Sequence, residues 1–144
     1  MFSKECEYGI KAAIFVAMQS EKGAKVGLDD IVKHIDSPLA FTAKILQKLS
    51  RNKIISSQKG PAGGFEIREE GSAKTMLSEI VKAIDGDSIY KGCGLGFNAC
   101  NELKPCPLHH KFKSIRDDLK SMLETTSLQD LSRNIKDGFT FLKT

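Results

Sequence analysis

Two short β-prone runs, Ile54 to Gln58 and Phe65 to Arg68, flank Lys59-Gly60-Pro61-Ala62-Gly63-Gly64, and a glycine-rich turn between such runs predicts a β-hairpin. What precedes the hairpin narrows the fold. Tyr8, Ala12, Phe15 and Val16 follow helical spacing and predict a first helix over residues 4–20. Leu28, Ile31, Val32 and Ile35 repeat the pattern, with Asp29 and Asp30 in the first turn, where the helix dipole favours acids. Asp36-Ser37-Pro38 then reads as a stop, an N-cap and a proline at a first helical position. A third helix carrying Leu39, Ile45, Leu46 and Leu49 should run to about Asn52. Three helices followed by a two-stranded wing are the element order of a winged helix-turn-helix, whose third helix enters the DNA major groove.

Beyond Gly71 and Ser72, Leu77, Ile80, Val81 and Ile84 predict a fourth helix stopped by Asp85-Gly86-Asp87. Ser88 to Pro107 shows no periodicity and is too long for a simple connector, which marks it as a functional loop. Pro107 can open a long helix in which Phe112, Ile115, Leu119, Met122 and Leu123 form a narrow seam suited to another long helix, such as its own copy in a dimer. Ser127 with Asp130 three residues on resembles a capping box for a last helix carrying Leu128, Leu131 and Ile135. The expected class is therefore mainly α with a small β-hairpin wing: a winged helix-turn-helix over 1–72, then a cysteine loop and long C-terminal dimerisation helix over 73–144.

The chain has 144 residues and a net charge of +4, and the distribution of charge says more than the total. Lys44, Lys48, Arg51, Lys53, Lys59 and Arg68 face a single acid, Glu66, so the segment from Phe41 to Arg68 carries +5 and the remainder −1. Such a concentration on the third helix and the wing points to a polyanion, double-stranded DNA. Candidate contacts are Ser37, Phe41 and Thr42 near the start of the third helix, Lys44 and Lys48 along it, and Lys59 and Gly63 in the wing. The Thr42 hydroxyl and the Phe41 ring are candidates to touch bases, and the lysines to touch phosphates. No phosphate-binding glycine motif precedes a helix and no nucleophile–base pair stands out, so an enzyme is not expected. The longest apolar run, Ala12 to Met18, is far short of a membrane span, and a soluble, cytoplasmic protein with reduced cysteines is expected.

Cys93, Cys100, Cys106 and His109 follow a C-x6-C-x5-C-x2-H pattern in the aperiodic loop. Three thiolates and an imidazole so close together can wrap one metal centre: zinc, which wants four N or S ligands, or an iron–sulfur cluster with one ligand that is not cysteine. Spacing alone leaves both open, along with simply reduced thiols. Cys6 reads as a small buried residue of the first helix, and His34 and His110 as solvated or supporting groups.

Taken together, Tyr8-Gly9, Ser37-Pro38-Leu39 through Lys44-Ile45-Leu46-Gln47-Lys48-Leu49, Ile55 to Phe65, Ser78 to Asp85 and the three-cysteine loop resemble the Rrf family of winged-helix regulators, over essentially the whole chain. The family includes IscR-like and NsrR-like iron–sulfur regulators. The resemblance implies a homodimer joined through the long helix, a palindromic DNA site, and a [2Fe-2S] or [4Fe-4S] cluster on Cys93, Cys100 and Cys106. It further implies a repressor or activator responsive to redox state, nitric oxide or iron–sulfur status. The fourth ligand would be His109, as in some relatives, or Glu7 of the partner subunit, as in others. The family's commoner loop has five residues in each gap, and here the first gap has six. The alternatives kept beside this reading are a zinc-bound or apo regulator sensing thiols or a partner, and a cluster-bearing redox protein.

Overall fold

A serine hydroxyl starts the first helix: in the computed structural model, which describes residues 1–143, Ser3 Oγ accepts from the Cys6 amide at 3.0 Å and caps α1 (Lys4–Glu21). From Ala12 to Ala17 every residue of α1 is buried. The helix is thus enclosed on several sides, with α2 (Leu28–Ile35), α3 (Leu39–Arg51), α5 (Leu77–Asp85) and α8 (Leu128–Lys136) packed around it. Ile31, Ile35, Ile45, Leu46, Leu49, Ile80 and Val81 complete the core, where a large-to-small change costs about 2–5 kcal/mol.

The turn between α2 and α3 differs from its expected form by one residue. Asp36 takes the left-handed conformation (φ 52°) that ends α2, Pro38 occupies the N-cap, and α3 begins at Leu39. Ser37 therefore does not cap the helix. Its hydroxyl is hydrogen-bonded to Thr42 Oγ1 (2.6 Å), and Thr42 donates onward to the Pro38 carbonyl (2.7 Å).

After α3, Lys53 adopts a left-handed turn and Ile54 and Ile55 drop into the core, so the first strand of the wing starts late, as β1 (Ser56–Gln58). It pairs antiparallel with β2 (Gly64–Glu66), Ser57 opposite Phe65. Phe65 also exchanges both backbone hydrogen bonds with Val26 (2.7 and 3.1 Å), which pins the wing to the turn between α1 and α2. At Gly63 a Cβ would lie 2.1 Å from the Gln58 carbonyl oxygen, so the wing tip closes too tightly for a side chain there.

A six-residue helix, α4 (Glu69–Lys74), follows the wing, and α6 (Ser88–Lys91) opens the cysteine loop; neither is predicted from periodicity. The long helix is α7 (His109–Thr125), which starts two residues after Pro107. It packs against α5 and α6. The Ser127–Asp130 capping box forms with both hydrogen bonds at 3.1 Å and opens α8, which returns to α1 and α4. No helix among the described residues is long and apolar enough to cross a membrane.

Candidate DNA-binding face and cysteine loop

The buried side of α3 is the stripe Thr42, Ile45, Leu46 and Leu49, which leaves Ala40, Lys44, Gln47 and Arg51 exposed on the opposite side. Thr42 has 0% exposure and its hydroxyl is fully engaged, so it has no surface to offer a base. Ser37 is tied into the same pair and is likewise buried. Both are corrections to the expected contact set: the two hydroxyls shape the helix-turn-helix corner, each hydrogen bond contributing about 1 kcal/mol. The exposed Gln47 is the polar side chain that sequence reading passed over. Its signal was available, since it lies off the i, i+3, i+4, i+7 stripe that contains Thr42.

Phe41 is half-buried, edge-on to Tyr8 with ring centroids 5.9 Å apart. Lys44 is exposed and makes no ion pair among the described residues. Lys48 instead reaches back to α1, where its ammonium meets Glu5 at 2.6 Å. Lys59 is exposed at the wing, next to Gln58, whose side chain accepts from Lys25. Lys44, Gln47, Lys59 and the Gly60–Gly64 tip are thus the outward features of this half.

The cysteines lie in the loop between α6 and α7, and the start of α7 gathers them. Cys100 Sγ is 3.3 Å from His109 Nδ1, and Arg116, two turns along α7, donates to Cys100 Sγ (3.1 Å) and to the Gly92 carbonyl. The loop passes so close over α7 that a Cβ at Gly94 would fall 2.4 Å from the Phe112 ring. Backbone amides of Leu95 and Phe97 face Cys93 and hold its thiol below the usual range, with neighbouring Cys106 adding to the effect. His109 is only 3% exposed, and its Nε2 is buried with no hydrogen-bond partner. The four residues expected to bind metal thus lie as two neighbouring pairs, Cys93 with Cys106 and Cys100 with His109. Among the described residues no three His, Cys, Asp or Glu side chains converge on one point.

Glu7 sits on α1, ion-paired with Lys4 at 3.1 Å and 40% exposed. Cys6 is fully buried, and burial, with Asp85 adding, pushes its thiol up to about 12, so it is inert as a ligand or nucleophile. His110 is exposed and edge-on to His109, and His34 stacks on Phe15 at 4.1 Å.

Residues 2–134 match the model of the Rrf2 family, described as an iron-dependent transcriptional regulator. An HTH-type protein of Aquifex aeolicus is 29% identical over 98% of this chain and 96% of its own length. The transcriptional regulator IscR of Photorhabdus laumondii is 27% identical over 88% of this chain and 76% of its own. Among solved structures, CymR, the global cysteine regulator of B. subtilis, superposes with a TM-score of 0.76 at 20% identity, covering 92% of this chain and 96% of that one. That last likeness is one of fold.

Proposed function

The chain belongs to the Rrf2 family of transcriptional regulators, and from that premise we propose that it is a homodimer whose hold on operator DNA is set by an iron–sulfur cluster on Cys93, Cys100, Cys106 and His109. It is a DNA-binding regulator rather than an enzyme, as its named relatives are. The proposed division of labour puts DNA contact in residues 1–72 and cluster and dimer contacts in 73–144.

The observation that carries the cluster is the buried His109 ring. One nitrogen meets Cys100, and the other has neither protein nor solvent to satisfy it, which costs about 1–3 kcal/mol unless something else binds there. Three thiols and one imidazole, with one thiol already lowered by backbone amides, are a donor set that fits a cluster. When bound, such a cluster supplies a reversible redox couple and iron that can be lost or attacked. The chain's own part is mechanical. Bringing the two donor pairs to one centre fixes a loop that Arg116 already ties to α7 at Gly92 and Cys100, and so orders the N-terminal half of the dimer helix.

Iron, sulfide and zinc analysis of anaerobically purified protein tests this, with iron and sulfide in equal amounts and visible absorption expected. Zinc without sulfide would overturn the cluster, and a chain with neither would favour a thiol regulator. The nearness of Cys93 to Cys106 supports that second reading.

In the DNA-binding half, α3 is proposed to lie in the major groove with Gln47 able to pair with adenine, Lys44 on a phosphate, and Lys59 on the backbone beside the wing. Lys44→Gln and Lys59→Gln should each reduce the slope of log affinity against log salt by about one. Lys48→Gln should change it less, because Glu5 already neutralises that ammonium. Unchanged slopes for both Lys44 and Lys59, measured by fluorescence anisotropy across a salt series, would remove this face from the interface.

A further inference from the structure

We propose that the cleft at the root of the wing, between the end of α1, α4 and α8, binds a small zwitterion of the α-amino acid class with an apolar side chain. The cleft has a volume of about 300 Å3, at the small end of the range for small-molecule sites. Its lining is charged in both senses: Glu21 from α1 and Glu69 from α4, against Arg133 and Lys136 from α8. None of these four is ion-paired among the described residues, although they line a common space. Two carboxylates and two cations that leave one another unpaired are complementary to a molecule with one charge of each sign. A phosphate or a polyamine would meet repulsion from two of the four charges.

Ser72 supplies an independent mark. It lies in the same lining, is 3% exposed, and its Oγ has no hydrogen-bond partner among the described residues. Buried hydroxyls are normally satisfied, and an orphan in a polar cleft is what a ligand's carboxylate or ammonium would complete. A second cavity of about 280 Å3 shares Glu21 and Lys136 with the first and is otherwise lined by Met18, Lys22 and Ile135. Met18 and Ile135 give it an apolar side that suits a side chain carried on the zwitterionic head. The cleft also touches the wing: Ile67, directly after β2, contributes to the lining, and its amide is held by Ser20 Oγ at 2.9 Å. An occupant would therefore contact the segment that sets where the wing leaves α1.

The site is remote from the cysteine loop in its residues and needs no metal. Isothermal titration of the full purified chain with L-leucine, L-phenylalanine and glycine tests it, with 4-methylpentanoate and 3-methylbutylamine as analogues bearing one charge. Saturable binding of leucine or phenylalanine is expected, with both one-charge analogues weaker by roughly tenfold or more. Arg133→Gln and Glu69→Gln, both at exposed side chains, should weaken binding to a similar degree without moving the ligand-free thermal midpoint. Absence of saturable binding by any of the three amino acids would overturn the proposal. So would equal binding of the one-charge analogues, or unchanged affinity in both variants. Because no readout involves iron or DNA, the result stands apart from the fate of the cluster.

Discussion

Ile115→Asp is expected to convert the proposed homodimer into folded monomers and to lower operator affinity by at least a hundredfold. The reason lies in how α7 divides its apolar residues. Leu123 is fully buried and Leu119 half-buried against this protomer's own core, whereas Ile115 is 57% and Met122 45% exposed, two turns apart on the outward side. A helix that exposes such a stripe while burying the adjacent one is built to be covered by a second apolar surface. Leu119→Asp would damage the protomer together with the dimer, so its failure would be uninformative. Ile115→Asp changes a side chain that the protomer leaves in water. In a dimer seam it would bury an unpaired carboxylate, at a cost of about 3–5 kcal/mol in each protomer. In the proposed homodimer, a palindromic site read by two recognition helices would then lose its bivalent grip, and affinity would fall toward that of one half-site. Sedimentation velocity beside circular dichroism checks this. A variant that remains a dimer with native ellipticity would place the interface away from Ile115.

The elements that sequence alone made legible are those with apolar periodicity and a punctuating residue at each end. α2 matches its predicted core, Leu28 to Ile35, because Asp36 can adopt the left-handed turn that stops it. The capping box at Ser127 is local chemistry within four residues and forms as read. α4 escaped because Glu-Glu-Gly-Ser-Ala-Lys buries only Ser72, and α6 because none of its four residues is buried. The site was less legible than the fold, and for a different reason. Thr42 was taken for a polar surface residue by its hydroxyl, although its spacing to Ile45, Leu46 and Leu49 puts it on the buried stripe. Lys48 was taken for a free cation because its partner, Glu5, lies 43 residues away, and no local pattern reveals such a pairing. Arg116 lies off the apolar seam, where spacing assigns it no partner; only the folded loop brings Cys100 and Gly92 to its two guanidinium nitrogens. Periodicity reports which side of a helix faces inward. It says nothing about which distant group a polar side chain finds.

In the proposed cluster site, the residue that completes the cysteine trio would decide how loop and DNA-binding half communicate, and His109→Ala is expected to have the larger effect, lowering cluster retention by about 10- to 100-fold relative to Glu7→Ala. His109 is already buried beside Cys100 with a free ring nitrogen, whereas Glu7 is half in solvent and satisfied by Lys4. To serve instead, the partner subunit's Glu7 would have to give up that ion pair, a small cost of about 0–1 kcal/mol for an exposed pair, so geometry and not energy separates the candidates. Removing a buried imidazole also leaves a cavity, and His109→Cys therefore accompanies the alanine variant: a thiol at the same helical position should restore cluster content if coordination is what was lost. Iron and sulfide per protomer, visible absorption and operator affinity are then compared across the three variants. Cluster loss in Glu7→Ala with retention in His109→Ala would reverse the assignment and make the site inter-subunit, with α1 of one protomer gripping the loop of the other. In that arrangement loss of the cluster would act on the winged-helix core directly through α1. With His109 as ligand the signal runs along α7, from the loop through Arg116 to the dimer seam, and reaches the recognition helices only by changing how the two protomers sit against each other.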